Sequence, residues 1–208
     1  MNDVPADPGR NTRAVILDAF AEELREGGYP GASLDTVAKR AGIRKASLYH
    51  HFSGGKEDIF RATALRYIEQ QSAYVASAIG QTTVLEDQLV RLATVCVDSP
   101  ESSAQLGRQV YDATRHTSDE VRTEVSTAYV EGLIVPVVRT MEHAVSEGAL
   151  VGDPSFLAWS FLGLASAMAP IPDDVAMPTE HRGPRPEVDR TVRSLVALFL
   201  DGSRPRSA

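Results

Sequence analysis

Apolar residues in this chain recur at three- and four-residue spacings almost throughout, broken by glycine and proline, and no stretch of useful length alternates apolar with polar. Surface patterned this way is buried by packing helix on helix, so the fold class is all-α. The first helix is expected from Thr12 to about Glu26, with Val15, Ile16, Ala19, Phe20 and Leu24 on one face and Gly27-Gly28 as its stop. Ser33 can cap a second helix carrying Leu34, Val37, Ala38 and Ala41, with Asp35 in its first turn and Gly42, free to take positive φ, at its end. A short helix over Ile43 to Phe52 follows, and Ser53-Gly54-Gly55 separates it from a long one over about 56–78. Further helices are expected near 83–98, 101–115, 118–147, 154–169 and 187–201. Thr117 and Glu120 have the spacing of a capping box, and Pro136 predicts a kink near Gly132 because it removes one ladder bond. Residues 170–186 hold five of the twelve prolines and read as a loop, and the final SRPRSA is expected to fray.

Charge is unevenly spread. The formal net charge is -7, yet residues 1–61 hold nine Lys/Arg against nine Asp/Glu, so the remainder carries all of the excess. Between Asp35 and Glu57 the charged residues are Lys39, Arg40, Arg44, Lys45 and Lys56, all basic. A basic stretch on an acidic chain suits a polyanionic partner, although a solvated charge run explains the charge alone equally well.

Geometry separates those readings. Two short helices joined by a tight glycine turn, 33–41 and 43–52, make a helix-turn-helix, with the first helix and the start of the fourth completing a small core. If Leu48 and Phe52 define the buried face of the second helix of the pair, Ala46, Ser47, Tyr49 and His50 point away from it, and Arg44 and Lys45 project from its start. That outward set is polar, flat or small, as a major groove accepts. Ala46 offers a methyl to thymine, Lys45 or Arg44 can reach a guanine edge or a phosphate, and Ser47 and Tyr49 can donate to phosphates. An acid there would face the DNA backbone.

From Val15 to about Phe60 the sequence resembles the TetR family of transcriptional regulators. The resemblance is carried by Thr36-Val37-Ala38-Lys39-Arg40-Ala41-Gly42-Ile43, by Ala46-Ser47-Leu48-Tyr49-His50-His51-Phe52 and by Gly55-Lys56-Glu57-Asp58-Ile59-Phe60. It implies that Lys45, Ser47, Tyr49 and His50 contact DNA, that Lys56 holds a phosphate, and that Ser33 and Thr36 do likewise. It also implies that Phe20, Val37, Ile43, Leu48 and Phe52 are core. Two departures stand out: Arg44 replaces the Ser or Thr frequent before the recognition helix, and Gly54-Gly55 replaces a Pro-Ser approach to Lys56. Arg44 can make an added base or phosphate contact. The organisation implied is a DNA-binding domain at 1–55 and an effector-binding and dimerisation domain at 56–208.

The second domain offers two sets of residues. Leu157, Phe161, Leu164, Ala165 and Met168, and Val188, Val192, Leu195, Val196 and Phe199, form helical stripes. One face of each packs inward, and Phe156, Trp159, Leu162, Leu198 and Leu200 leave further apolar surface, so these two helices are assigned to a dimer interface. The resemblance implies a two-fold four-helix contact. Dimerisation also suits DNA reading, since one short helix reads too few bases and two copies read a near-palindromic site. Tyr67, Tyr74, Tyr111, Arg115, Tyr129, Leu133 and Met141 are the candidates for effector contact, and each is equally a packing residue.

Other constellations are weaker. His50-His51 diverge by about 100° on a helix and do not easily share a metal ion. Asp112 and His116 are one turn apart, which suits a metal or a general base but is more often an exposed pair. Cys96, the only cysteine, lies in an apolar run and reads as a buried structural thiol; no internal disulfide is possible. No GxSxG, HExxH, GxGxxG or P-loop pattern occurs, so enzymatic function has no positive support and neither metal nor cofactor is expected. The start lacks the basic-then-apolar order of a signal peptide, and the aliphatic block at 133–138 is too short to span a bilayer. The expectation is a cytoplasmic homodimer that binds double-stranded operator DNA, without membrane contact, and that is released from it by a small apolar or aromatic effector. The alternative is a helical small-molecule-binding protein or hydrolase, built on Tyr129, His143 or the Asp112/His116 pair, whose first module does not bind DNA.

Overall fold

In the computed structural model, residues 11–97, 101–168 and 187–205 are described, and among them there is no strand. Among the described residues ten α-helices run in order: α1 (Thr12–Gly31), α2 (Leu34–Ala41), α3 (Lys45–His51), α4 (Lys56–Gly80), α5 (Leu85–Val97), α6 (Glu101–Ala113), α7 (Asp119–Tyr129), α8 (Val135–Ser146), α9 (Pro154–Ala167) and α10 (Val188–Ser203). They sort into two compact units, residues 1–67 with 102–128, and residues 68–101 with 129–208.

In the first unit α1, α2 and α3 bury Ile16, Phe20, Leu24, Val37, Ala38, Leu48 and Phe52, joined by Ile59 and Phe60 from α4. Asn11 caps α1 by accepting from the Ala14 N–H at 3.3 Å. The break expected at Gly27-Gly28 is a kink rather than a stop: Gly28 takes φ 64°, and the chain turns helical again as far as Gly31. Gly42 ends α2 at φ 69°, with the Ile43 N–H reaching back to the Ala38 carbonyl at 3.0 Å. The next helix is shorter than expected. It begins at Lys45 with Arg44 in extended conformation before it, and Ile43 is only half-buried.

Two cap assignments change. Ser33 stands at the start of α2, but its side chain makes no cap hydrogen bond. The cap of α7 is Ser118, whose Oγ accepts from the Val121 N–H at 3.4 Å, while the Thr117 hydroxyl turns back to donate to the Thr114 carbonyl at 3.0 Å. The cap thus lies one residue beyond Thr117, which a short 3₁₀ turn at Thr114–His116 engages, and the expected capping box does not form, since Val121 rather than Glu or Gln stands three residues after Ser118.

The second unit is built on a core of Leu89, Leu92, Val137, Met141, Leu157, Phe161, Val192, Val196 and Phe199, contributed by α5, α8, α9 and α10. The predicted distortion before Pro136 is present. Val130–Ile134 widens into a π-helical turn between α7 and α8, since a proline nitrogen cannot donate to the carbonyl four residues before it. Asp153 caps α9 by accepting from the Phe156 N–H at 2.7 Å, with Pro154 in the first turn. The end of α10 is tied down rather than frayed: Ser203 is buried, and its carbonyl accepts from the Val151 N–H at 2.8 Å. The last three residues, and the loop read at 170–186, lie outside the described residues.

Candidate nucleic-acid interface

Helix α3 has two unlike faces. Leu48 and the following Phe52 are 0% and 1% exposed, whereas Ala46, Ser47, Tyr49 and His50 are open to solvent, with Tyr49 at 45%. Arg44 and Lys45 are exposed at its start, and Ser33 and Thr36 are half-buried at the start of α2. All nine residues expected to meet DNA therefore lie in one unit, with the four central ones on the same side of one helix.

Charge on this face is more committed than the sequence suggests. Arg40 turns inward to α1, with its Nε 2.6 Å from the nearly buried Glu23 carboxylate and its Nη2 on Glu26. Lys45 lies 2.9 Å from Asp35, which raises the affinity of its amine for a proton. Lys56 is drawn toward the end of α1. Its Nζ is 3.4 Å from the Pro30 carbonyl and 4.6 Å from the centre of the Tyr29 ring, and burial pushes its pKa below the ordinary lysine value. The run of five basic residues is thus partly internal wiring.

Gly55 explains the unusual approach to α4. It takes φ 67°, which favours glycine, whereas a Cβ there would stand in ordinary contact with the Tyr49 ring at 3.5 Å, so the backbone rather than crowding calls for glycine. The Gly54 N–H donates to the Asp58 carboxylate at 3.3 Å, which secures the first turn of α4.

A residue that sequence reasoning missed lies beside this face. The Arg13 guanidinium stands 4.5 Å from the centre of the Phe52 ring, at the C-terminal end of α3. Its signal was a basic residue in the first turn of a helix, where the dipole disfavours a cation.

Behind the reading head, Tyr29 forms a second cluster. Its ring meets Phe60 edge-on at 5.2 Å and stacks on His116 at 6.3 Å with the planes 8° apart. Glu57 accepts from the Ser118 N–H, and the two hydrogen bonds it receives from Ser118 hold its carboxyl below the usual range. Asp112 pairs with Arg115 at 3.7 Å, and His116 is engaged with Tyr29. His50 and His51 meet edge-on at 5.6 Å, and no group of three His, Cys, Asp or Glu gathers among the described residues.

The seven effector candidates divide between the units: Tyr67, Tyr111 and Arg115 in the first, Tyr74, Tyr129, Leu133 and Met141 in the second. Met141 is fully buried in the second core and Leu133 packs against it, while Tyr74 and Tyr111 are exposed. A groove of about 410 Å³ opens in the second unit between α4, α5 and α8, and none of the seven lines it.

The interface stripes are also reassigned. Leu157, Phe161, Ala165, Val192, Leu195, Val196 and Phe199 are all buried within the chain, and Val188 is half-buried against the same core. They belong to one core cluster, within which Phe161 and Phe199 meet edge-on at 5.2 Å. Leu164 and Met168 remain exposed, and with Phe156, Trp159 and Leu198, at 68%, 55% and 66%, they form the apolar surface left on α9 and α10. Leu200, read as surplus surface, is buried. No helix among the described residues is long and apolar enough to cross a membrane.

Comparison with known proteins places this arrangement. Residues 16–63 match the family described as bacterial regulatory proteins, tetR family. Over 121 residues the chain is 29% identical to the HTH-type transcriptional activator FasR of Mycolicibacterium smegmatis, a match covering 58% of this chain and 55% of that protein. It is 27% identical over 122 residues to the negative transcriptional regulator IcaR of the biofilm operon icaADBC in Staphylococcus aureus strain Newman, covering 51% of this chain and 65% of that one. The matched stretches thus span less than two thirds of these relatives. The fold is similar to that of the Bacillus subtilis transcriptional regulator FadR in complex with stearoyl-CoA, with a TM-score of 0.70 at 16% identity over 91% of this chain and 98% of that one.

Proposed function

We propose, from the match of residues 16–63 to the tetR-family model and the similarity of the fold to that of FadR, that the chain is a TetR-family, ligand-responsive, DNA-binding transcriptional regulator. The observation that carries the reading is the division of α3, with Leu48 and Phe52 fully inward and Ala46, Ser47, Tyr49 and His50 presented together to solvent. A helix so divided can lie in a major groove with its small and polar side chains on base edges and phosphates. Residues 1–55 are the DNA-binding domain and residues 56–208 the effector-binding and dimerisation domain.

The regulator is a cytoplasmic homodimer and a repressor, not an enzyme, and it leaves a near-palindromic operator when a small apolar or aromatic molecule binds the helical body. Exposed Phe156, Trp159, Leu164, Met168 and Leu198 support the dimer, because a surface of this kind on two neighbouring helices calls for a partner. An acyl thioester in the similarly folded FadR supports an effector with an apolar part. The effector acts by binding more tightly to a state whose heads are wrongly placed for successive grooves; equal affinity for both states would shift nothing.

Fluorescence anisotropy with a duplex from the gene's own upstream region, competed by random duplex and repeated across salt concentrations, tests the reading. Preferential, salt-sensitive binding supports it. Equal binding to both duplexes, or none, favours a helical ligand-binding protein that has no operator.

A further inference from the structure

We propose that the groove between the C-terminal half of α4, α5 and α8 is a binding site for a small organic monoanion with an apolar body. Its floor is Ala76, Ile79 and Pro136, and its volume of about 410 Å³ lies in the range of small-molecule sites. Arg139 and His143 stand on its α8 side, four residues apart and so on one helical face. No Asp or Glu lines it, in a chain of net charge -7.

Arg139 is the cation this groove offers. Like the exposed Arg108 and Arg190, it makes no ion pair or hydrogen bond among the described residues, but it alone of the three lines a groove with an apolar floor. A guanidinium carries five donors in a plane and suits the two oxygens of a carboxylate. His143 adds a ring N–H one turn further on.

The end of α4 is the feature that could oppose an anion, because carbonyls there carry partial negative charge. Gln88 removes part of that objection. Its Nε2 donates to the Ile79 carbonyl at 3.1 Å and to the Thr82 carbonyl at 2.9 Å, which covers those oxygens and holds this wall of the groove in place. Thr140 is likewise fixed, donating to the Pro136 carbonyl at 3.1 Å. The walls are preformed, and the vacant donors are on Arg139 and His143. One guanidinium beside one imidazole over an apolar floor matches a single negative charge on a greasy body; a polyphosphate or nucleic acid would need more cations and no such floor.

The inference rests on the regulator reading only for its consequence at the operator, so binding is measured without DNA. Isothermal titration of the full chain with octanoate and 4-phenylbutyrate, against octanamide and octylamine, is the direct test. The acids bind, the amide binds about tenfold more weakly for want of its charge-assisted hydrogen bonds, and the amine does not bind. Arg139→Gln abolishes the preference for acid over amide, and because Arg139 is exposed its thermal melt stays that of the parent. Equal affinity for acid and amide, no binding of either acid, or an unchanged preference in Arg139→Gln each overturns the proposal. Failure of operator binding leaves this site standing, and failure of acid binding leaves the regulator standing.

Discussion

Lys45, exposed at the start of α3, is held 2.9 Å from Asp35 across the helix-turn-helix. Both side chains are exposed, so the pair contributes little to stability, but it neutralises one cation on the reading face in the free protein. On binding, a phosphate competes with Asp35 for the same ammonium. Asp35→Asn is therefore expected to tighten binding to operator and random duplex alike and to steepen the dependence of log K on log salt by about one phosphate's worth. Anisotropy titrations over a salt series read both quantities. An unchanged slope would place Lys45 off the backbone.

Neighbouring residues on α3 should separate folding from reading. Leu48→Ala removes a fully buried side chain and is expected to cost about 2–5 kcal/mol, enough to loosen the whole head. Tyr49→Ala, at a position 45% exposed, should leave the melting transition almost in place while specific operator binding falls. Thermal denaturation paired with DNA titration decides between them. Loss of the fold in Tyr49→Ala would show that the tyrosine serves packing rather than DNA reading.

Much of the fold was legible because local physics sets it: the 3.6-residue stripe, the positive φ demanded at Gly42 and the missing donor at Pro136 each act within a few residues. The partners of its charges were not. Arg40 finds Glu23 seventeen residues away, and Lys45 finds Asp35 ten residues away, encounters that only the packed helices define. On α9 the wheel failed for another reason. Leu157 and Phe161 face inward and Phe156 and Trp159 outward, yet all four are large and apolar, so the sequence carries no contrast by which to tell the faces apart. The groove was invisible because α4, α5 and α8 bring its walls together from three distant segments.

Substitutions on the two faces of α9 should therefore fail differently. Trp159→Asp is expected to give a folded monomer, since the ring is 55% exposed and its surface is the one offered to a partner. Phe161→Asp places an unpaired charge in a fully buried site and should unfold the second unit, at a cost of about 3–5 kcal/mol. Sedimentation velocity together with circular dichroism distinguishes the two. A Trp159→Asp chain that sediments as the parent would move the interface elsewhere.

Glu57 predicts an acid-sensitive joint within the first unit. Hydrogen bonds from Ser118 lower its carboxyl pKa in the folded chain, so its contribution is present in full above the unfolded carboxylate value of about 4.3 and is lost as pH falls through the folded value. Stability should thus decline with falling pH below the ordinary carboxylate range. Glu57→Gln should be less stable near neutrality and show a shallower decline in that acid window. Urea midpoints measured between about pH 6 and about pH 3 provide the comparison. Parallel curves for the two proteins would detach Glu57 from the effect.

Gly132, within the π-helical turn, tests whether that distortion is packed against α4 or merely tolerated. A side chain at this position would bring its Cβ into overlap with the Ser72 hydroxyl oxygen and to 3.3 Å from the Ser72 Cβ. The hydroxyl can rotate away, but the second contact needs the helices to give by a few tenths of an ångström. Gly132→Ala is accordingly expected to lose about 1–3 kcal/mol, despite the ordinary preference of a helix for alanine over glycine. Ser72→Ala alone should be nearly neutral, because it removes only the oxygen, and in combination it should recover most of the loss. A double-mutant cycle from denaturant unfolding gives the coupling directly. If Gly132→Ala stabilises the protein, helix propensity outweighs the crowding, and the approach of the π-helical turn to Ser72 is looser than these distances imply.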